Sequence, residues 1–265
     1  MLWKRVATAA VLLPLLVGAI LSGKAWPFAL LALGAALLCG AEFFRMFFPA
    51  SRDRWAGITM TGLAYGSGAL LPFPAAVSAF LLCVGGAAFL FVSAEGTPEG
   101  RVRSAALSGL GVAYIGGFLT AWPRTLLLPA GEHWVLLGIL AIAAGDTFAY
   151  IVGRSFGKTP LSPRVSPNKT VEGAIGGLLA SVISAAVYAA IFLPGIRTWF
   201  ILAASAVLGA AGQGGDLFES TLKRAAGVKD SGALLPGHGG LFDRADALIA
   251  AGPVLHLAAL VSGGA

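Results

Sequence analysis

Residues 171–193 read VEGAIGGLLASVISAAVYAAIFL, and their only charge is Glu172, next to the start. A helix needs about 20 mostly apolar residues to cross a bilayer, so this stretch is read as a membrane span. The same ruler applied in both directions gives nine candidates, at about 5–22, 26–44, 56–71, 74–92, 105–122, 134–152, 171–193, 198–214 and 245–262. The expected fold is therefore all-α, a polytopic integral membrane protein of about nine transmembrane helices.

Composition agrees. Of 265 residues, 57% are hydrophobic and 11% charged, and the mean hydropathy is +0.86. A soluble domain is excluded. The net charge of +6 reflects Lys and Arg in the loops. No basic run interleaved with aromatics marks a nucleic-acid groove. Cys39 and Cys83 both sit in apolar runs without metal-type spacing. Residues 1–23 resemble a signal peptide, but no small-residue cleavage site precedes a soluble domain, so a retained first span is expected.

Basic residues set the orientation. With the N-terminus in the cytoplasm, 15 of the 18 Lys and Arg fall inside, leaving Lys24, Arg124 and Arg197 outside. The expectation is a multi-pass protein of the cell (inner) membrane. Seven of the 12 acidic residues follow residue 140, namely Asp146, Glu172, Asp216, Glu219, Asp230, Asp243 and Asp246. Residues 1–130 are accordingly read as scaffold and lipid-access helices, and 131–265 as the catalytic region. No internal repeat points to an inverted-repeat transporter.

The densest charge lies at residues 216–246, DLFESTLKRAAGVKDSGALLPGHGGLFDRAD. Charge at membrane depth costs about 2.5–3.5 kcal/mol on insertion scales, so a mixed-sign cluster beside apolar spans marks a site that handles ions and phosphates. Asp216, Glu219 and Ser220 share one helical face, and Asp243 and Asp246 share another. Carboxylates presented by two helices make an oxygen site suited to Mg²⁺, with Asp216, Asp243 and Asp246 as the expected ligands. Glu219 either joins them or pairs with Lys223 at i+4. Asp146 is either a functional carboxylate or is satisfied by Thr147 or Lys158. Gly237-His238-Gly239-Gly240 is a Cβ-poor turn whose amides can close on phosphate oxygens. His238 itself is a phosphate contact, a general acid or a packing residue.

The loop between the sixth and seventh spans, GRSFGKTPLSPRVSPNKTVEG, contributes Lys158, Arg164, Ser166 and Lys169, and its prolines rule out a continuous helix. Ser166 to Glu172 reads as a turn feeding a helix N-terminus, where amides and the helix dipole favour an anion and Lys169 adds full charge.

The pattern Ser220-x-Leu222-Lys223-Arg224-x4-Lys229-Asp230-x-Gly232-x2-Leu235-Pro236-x-His238-Gly239-Gly240-Leu241-x-Asp243-Arg244-Ala245-Asp246 resembles the signature of phosphatidate cytidylyltransferases, also called CDP-diacylglycerol synthases. The match spans 27 residues. It departs from the family at Ala245, where a larger aliphatic residue or Thr is usual. Asp146-x2-Ala149-Tyr150-x2-Gly153 and Ser166-Pro167-Asn168-Lys169-Thr170-x-Glu172-Gly173 also look like this family's. The resemblance covers residues 140–250.

What the resemblance implies is transfer of a cytidylyl group from CTP to phosphatidic acid, giving CDP-diacylglycerol and pyrophosphate for phospholipid biosynthesis. It implies Mg²⁺, with a second cation left open, and a catalytic set of Lys169, Asp216, Asp243 and Asp246. Expected substrate contacts are Lys158, Ser166, Lys169, Lys223, Arg224, Lys229, His238, Gly239, Gly240 and Arg244. The active site should face the cytoplasm, where CTP is, with phosphatidic acid entering from membrane lipid. Gly and Ala along the spans allow the close packing that a homodimer would use. Two competing readings are a transporter with an intramembrane ion site and a CTP-using lipid kinase.

Overall fold

A computed structural model describes residues 13–92, 97–232 and 239–263 of the chain. Its helices are α1 (Ala25–Phe47), α2 (Ser51–Leu70), α3 (Phe73–Val92), α4 (Pro98–Gly111), α5 (Ala121–Leu126), α6 (Gly131–Phe156), α7 (Val171–Phe192), α8 (Thr198–Ala225) and α9 (Phe242–Ser262). Among the described residues, seven helical stretches are long and apolar enough to cross a membrane. One is Pro98–Leu126, in which α4 and α5 flank a π-helical stretch at Val112–Gly117. The architecture is that of an all-α polytopic membrane protein. The expected span at 56–71 forms within α2, whose first turn carries Arg52, Asp53 and Arg54 and which is not among the seven. Of the expected span at 5–22, residues 5–12 lie outside the described residues, and residues 13–21 form a helical stretch.

One departure from the all-helical expectation lies between α6 and α7. Strand β1 (Pro160–Ser162) pairs antiparallel with β2 (Ser166–Thr170), with Pro160 opposite Thr170 and Ser162 opposite Ser166. The prolines that forbid a helix here leave an extended hairpin in place of an open loop.

The chain divides into two compact units. The first comprises Met1–Pro123 with Ala226–Ala245, and the second Arg124–Ala225 with Asp246–Ala265. Helix α9 starts in the first and continues in the second.

In the first unit, Tyr65 of α2 donates its hydroxyl hydrogen to Ala29 O of α1 at 2.7 Å. An aromatic cluster fills the end of α1. Phe43 meets Phe44 edge-on, and Phe48 packs on Phe91 with 4.5 Å between ring centres. Phe242, fully buried, lies edge-on to both Phe43 and Tyr114, the latter from the π-helical stretch.

The second unit is organised by small residues. Gly145, Ala149 and Gly153 form a stripe on α6, and Gly173, Gly177 and Ser181 form one on α7. Small residues four apart let helix backbones approach closely, the usual device where lipid gives no hydrophobic drive for helix association. A Cβ on Gly173 would lie 2.7 Å from Ala149 O, and one on Gly177 would lie 2.7 Å from Gly145 O. Ser181 donates from Oγ to Ala141 O at 2.8 Å, sealing the same seam. The opposite face of α7 exposes Ile175, Leu179, Ile183, Val187 and Ile191 at intervals of four, a lipid-facing stripe. Helix α8 joins through Gln213, whose Nε2 donates to Ala174 O of α7 at 2.9 Å. Its Gly215 abuts α9, where an added Cβ would lie 2.6 Å from both Ala250 Cβ and Asp246 O. That contact carries α8's next residue, Asp216, to the start of α9's second-unit segment.

Two matched substitutions test the seam. Gly177→Ala should destabilise the protein by about 1–3 kcal/mol through overpacking, lowering its melting temperature in detergent. Gly214→Ala, on an exposed face with open space around it, should leave the melting temperature unchanged or slightly raised. Equal behaviour of the two variants would contradict the close approach of α6 and α7.

Candidate functional site

The second unit brings a set of charges together from α6, the hairpin, α8 and α9. Asp216 and Glu219 are one turn apart on α8, and Asp246 lies on α9. One carboxylate oxygen from each of the three falls within 4.8 Å of the others. Asp216 is half-buried, whereas Glu219 and Asp246 are buried. The cations are local. Lys169 Nζ lies 2.6 Å from Asp216 Oδ2, and Lys223 Nζ lies 2.8 Å from Glu219 Oε2. Asp246 Oδ1 accepts the amide of Ala247 at 2.8 Å. Asp146, exposed on α6, is close enough for its charge to act on both Asp216 and Lys169. Thr147 is not its partner, because that hydroxyl is spent on Ala143 O at 2.7 Å.

The hairpin is what delivers Lys169. The Glu172 carboxylate reaches back to its base and accepts Lys158 N at 3.1 Å, Thr159 N at 3.2 Å and Thr159 Oγ1 at 2.9 Å. Thr170 caps α7, its Oγ1 accepting Gly173 N at 3.1 Å, as Thr commonly does at a helix start. The turn of the hairpin is gripped from α8, where Arg224 Nε donates to Val165 O at 3.3 Å. Lys169 is thus the residue before a capped helix, on a strand fixed at both ends. The motif Ser166-Pro167-Asn168-Lys169-Thr170-Val171-Glu172 is therefore strand, cap and latch in succession.

In the first unit, Asp243 sits in the first turn of α9 and folds back over the glycine turn. Its Oδ2 accepts Gly240 N at 2.8 Å and Ser231 N at 3.1 Å. Gly239 has φ +81°, a left-handed conformation that costs glycine nothing and other residues strain. Beside this turn the structure places Glu42 of α1. Its buried carboxylate accepts Leu241 N at 3.0 Å, Phe242 N at 2.8 Å and Ser231 Oγ at 3.1 Å.

Of the residues expected from sequence, Lys169, Asp216 and Asp246 meet directly, joined by Glu219 and Lys223. Glu219 pairs with Lys223 and its carboxylate also lies in the group with Asp216 and Asp246. Lys158 and Ser166 lie on the hairpin, Lys158 exposed at its base. Arg224 binds the hairpin's backbone. Lys229 is exposed beyond α8, and Arg244 is exposed on α9, with Gly239 and Gly240 just before it. His238 lies outside the described residues. Sequence reasoning assigned no role to Glu42, whose partners are nearly 200 positions away.

The donor set suits a hard divalent cation. Mg²⁺ takes oxygen ligands and is held by one or two carboxylates together with substrate phosphates, and the group Asp216, Glu219 and Asp246 offers only oxygens.

A family model described as the cytidylyltransferase family matches residues 3–261. Relatives named phosphatidate cytidylyltransferase include one from Staphylococcus saprophyticus, 43% identical over 154 residues, and one from Staphylococcus haemolyticus with the same figures. Another, from Staphylococcus aureus, is 42% identical over 156 residues. In each case the match covers 58% of this chain and 58% of the relative.

The latch is testable by proteolysis. Glu172→Ala should speed tryptic cleavage at Lys158, Arg164 and Lys169 several-fold in the folded protein, because the hairpin loses three hydrogen bonds at its base. Unchanged cleavage would show that Glu172 does not hold it.

Proposed function

This chain belongs to the cytidylyltransferase family, and from that premise we propose that it transfers the cytidylyl group of CTP to phosphatidic acid in the membrane, yielding CDP-diacylglycerol and pyrophosphate. The observation that carries the reading is the Lys169–Asp216 contact within the carboxylate group Asp216, Glu219 and Asp246. An arrangement of close carboxylates with a lysine on a fixed strand fits a polyphosphate brought in with a divalent cation.

An oxygen of the lipid phosphate forms a bond to the α-phosphorus of CTP. The bond from that phosphorus to the bridging oxygen of the β-phosphate breaks, and pyrophosphate leaves. The nucleophile is already ionised near neutral pH, so the obstacle is the approach of one anion to another, and positioned charge is the main requirement. Mg²⁺, when bound, would neutralise the triphosphate and stabilise the leaving group. Asp216, Glu219 and Asp246 would hold it through their carboxylate oxygens. Lys169 meets the phosphates with a full charge on a strand that the Glu172 latch keeps in place. Lys223 holds Glu219 in its rotamer. In the first unit, Gly239, Gly240 and Arg244 are the expected substrate contacts, and Asp243 holds the Gly240 amide beside them. Because CTP is cytosolic, the charged helix ends are assigned to the cytoplasmic face, with phosphatidic acid entering from the adjacent leaflet.

Purified protein in detergent, given Mg²⁺, phosphatidic acid and CTP labelled on the cytosine, should produce a labelled lipid. A lipid kinase would label lipid only from γ-labelled CTP, and a transporter would label none. Asp216→Asn should lower turnover by roughly 10²- to 10³-fold, the cost of losing one preorganised electrostatic group. Wild-type turnover in that variant with unchanged Mg²⁺ dependence would contradict the assignment.

A further inference from the structure

We infer that Glu42, in the amino-terminal half of the chain, is a positioning residue for the signature loop that carries Gly239, Gly240 and Asp243. The inference rests on the functional reading above for what the loop does, and on the first unit alone for how the loop is held.

The side chain is 8% exposed and accepts three hydrogen bonds. Oε1 takes Leu241 N, and Oε2 takes both Phe242 N and Ser231 Oγ. Leu241 and Phe242 open α9, so the carboxylate caps the helix, where N–H groups lack intrahelical partners and negative charge is favoured. The neighbouring residue on α1, Phe43, packs against the Phe242 ring. Two consecutive residues therefore grip Phe242, one through its amide and one through its ring.

A second carboxylate interlocks with the first. Ser231 gives its hydroxyl hydrogen to Glu42 and its amide to Asp243, and Gly240 gives its amide to Asp243. Glu42 and Asp243 together close the two ends of the loop, at 231–232 and 239–240. Glu42 also accounts for two glycines of the signature. A Cβ on Gly232 would lie 2.6 Å from Glu42 Oε1, and one on Gly240 would lie 2.5 Å from Glu42 Oε2 and collide with Ser231 Oγ. Those positions are glycine because the acid fills the space.

The chemistry requires acceptors only. Every donor facing Glu42 is an N–H or O–H, so an amide at this position would set its own NH₂ against them. Glu42→Gln, though isosteric, should open the clamp.

The test uses the full chain in detergent or nanodiscs, with hydrogen–deuterium exchange over residues 229–244 read beside steady-state kinetics. Glu42→Gln should exchange faster there. Its kcat should fall roughly 10- to 100-fold, the scale set by about 1 Å of misplacement, with KM for phosphatidic acid held. Gly232→Ala, which keeps the acid and crowds it, should show both effects, and it carries the test if Glu42→Gln does not yield folded protein. In a Glu42→Ala background, Gly232→Ala should add nothing, because its collision partner is gone. Asp216→Asn should lose turnover yet keep wild-type exchange, separating loop positioning from loss of the site itself. Wild-type exchange or wild-type kcat in Glu42→Gln, or an undiminished effect of Gly232→Ala without the acid, would overturn the inference. A wild type that makes no CDP-diacylglycerol would sink the functional reading, and the exchange comparison would still decide the clamp.

Discussion

Three carboxylates whose oxygens lie within 4.8 Å of one another cannot stand together at the end of an apolar helix bundle without positive charge. That constraint orders the second unit. Like charges at such a separation repel strongly where the dielectric is low, and the charges of Asp146, Asp216 and Lys169 all act on Asp246. Lys169 and Lys223 each answer one carboxylate, leaving the group an excess of negative charge that a divalent cation would complete. The hairpin, the Glu172 latch, the Thr170 cap and the Arg224 grip hold one ammonium group against Asp216.

Helix packing makes the crowding possible. Gly145 and Gly177 bring α6 and α7 to backbone contact, and Gly215 brings α8 against α9 beside Asp246. Larger residues would hold the helices apart and spread the carboxylates. The exposed Ile, Leu and Val stripe on α7 shows the other half of the arrangement, with small residues turned inward and branched ones left to lipid. The first unit solves a different problem. It fixes a loop by setting two acids against its ends, the buried Glu42 from α1 and the half-buried Asp243 from α9.

The sequence made some of this legible and hid the rest for identifiable reasons. Long apolar runs such as 171–193 announce helices because hydropathy is local. The partnership of Asp216 with Glu219 was visible as helical spacing, and Lys169 stood out by its place before a helix. The hairpin was not visible, since three prolines in a short polar segment look like loop and its strands are too brief to show alternation. For Glu219 the spacing left two alternatives open, a pair with Lys223 or a place among the carboxylates, and could not show that the ion pair leaves the side chain within that group. Glu42 was the largest omission. A lone acid in an apolar helix gives no periodic signal, and its partners lie nearly 200 residues away. The only trace it leaves is indirect, in the glycines at 232 and 240.

We propose that Asp216, Glu219 and Asp246 form the cation site. Mn²⁺, a paramagnetic stand-in for Mg²⁺, can be titrated into the purified protein and its free fraction read by electron paramagnetic resonance. Binding to the wild type should be saturable, weakened by Asp216→Asn and by Asp246→Asn, and strengthened by Lys169→Ala, which removes the competing ammonium. Binding that all three variants leave unchanged would contradict this site.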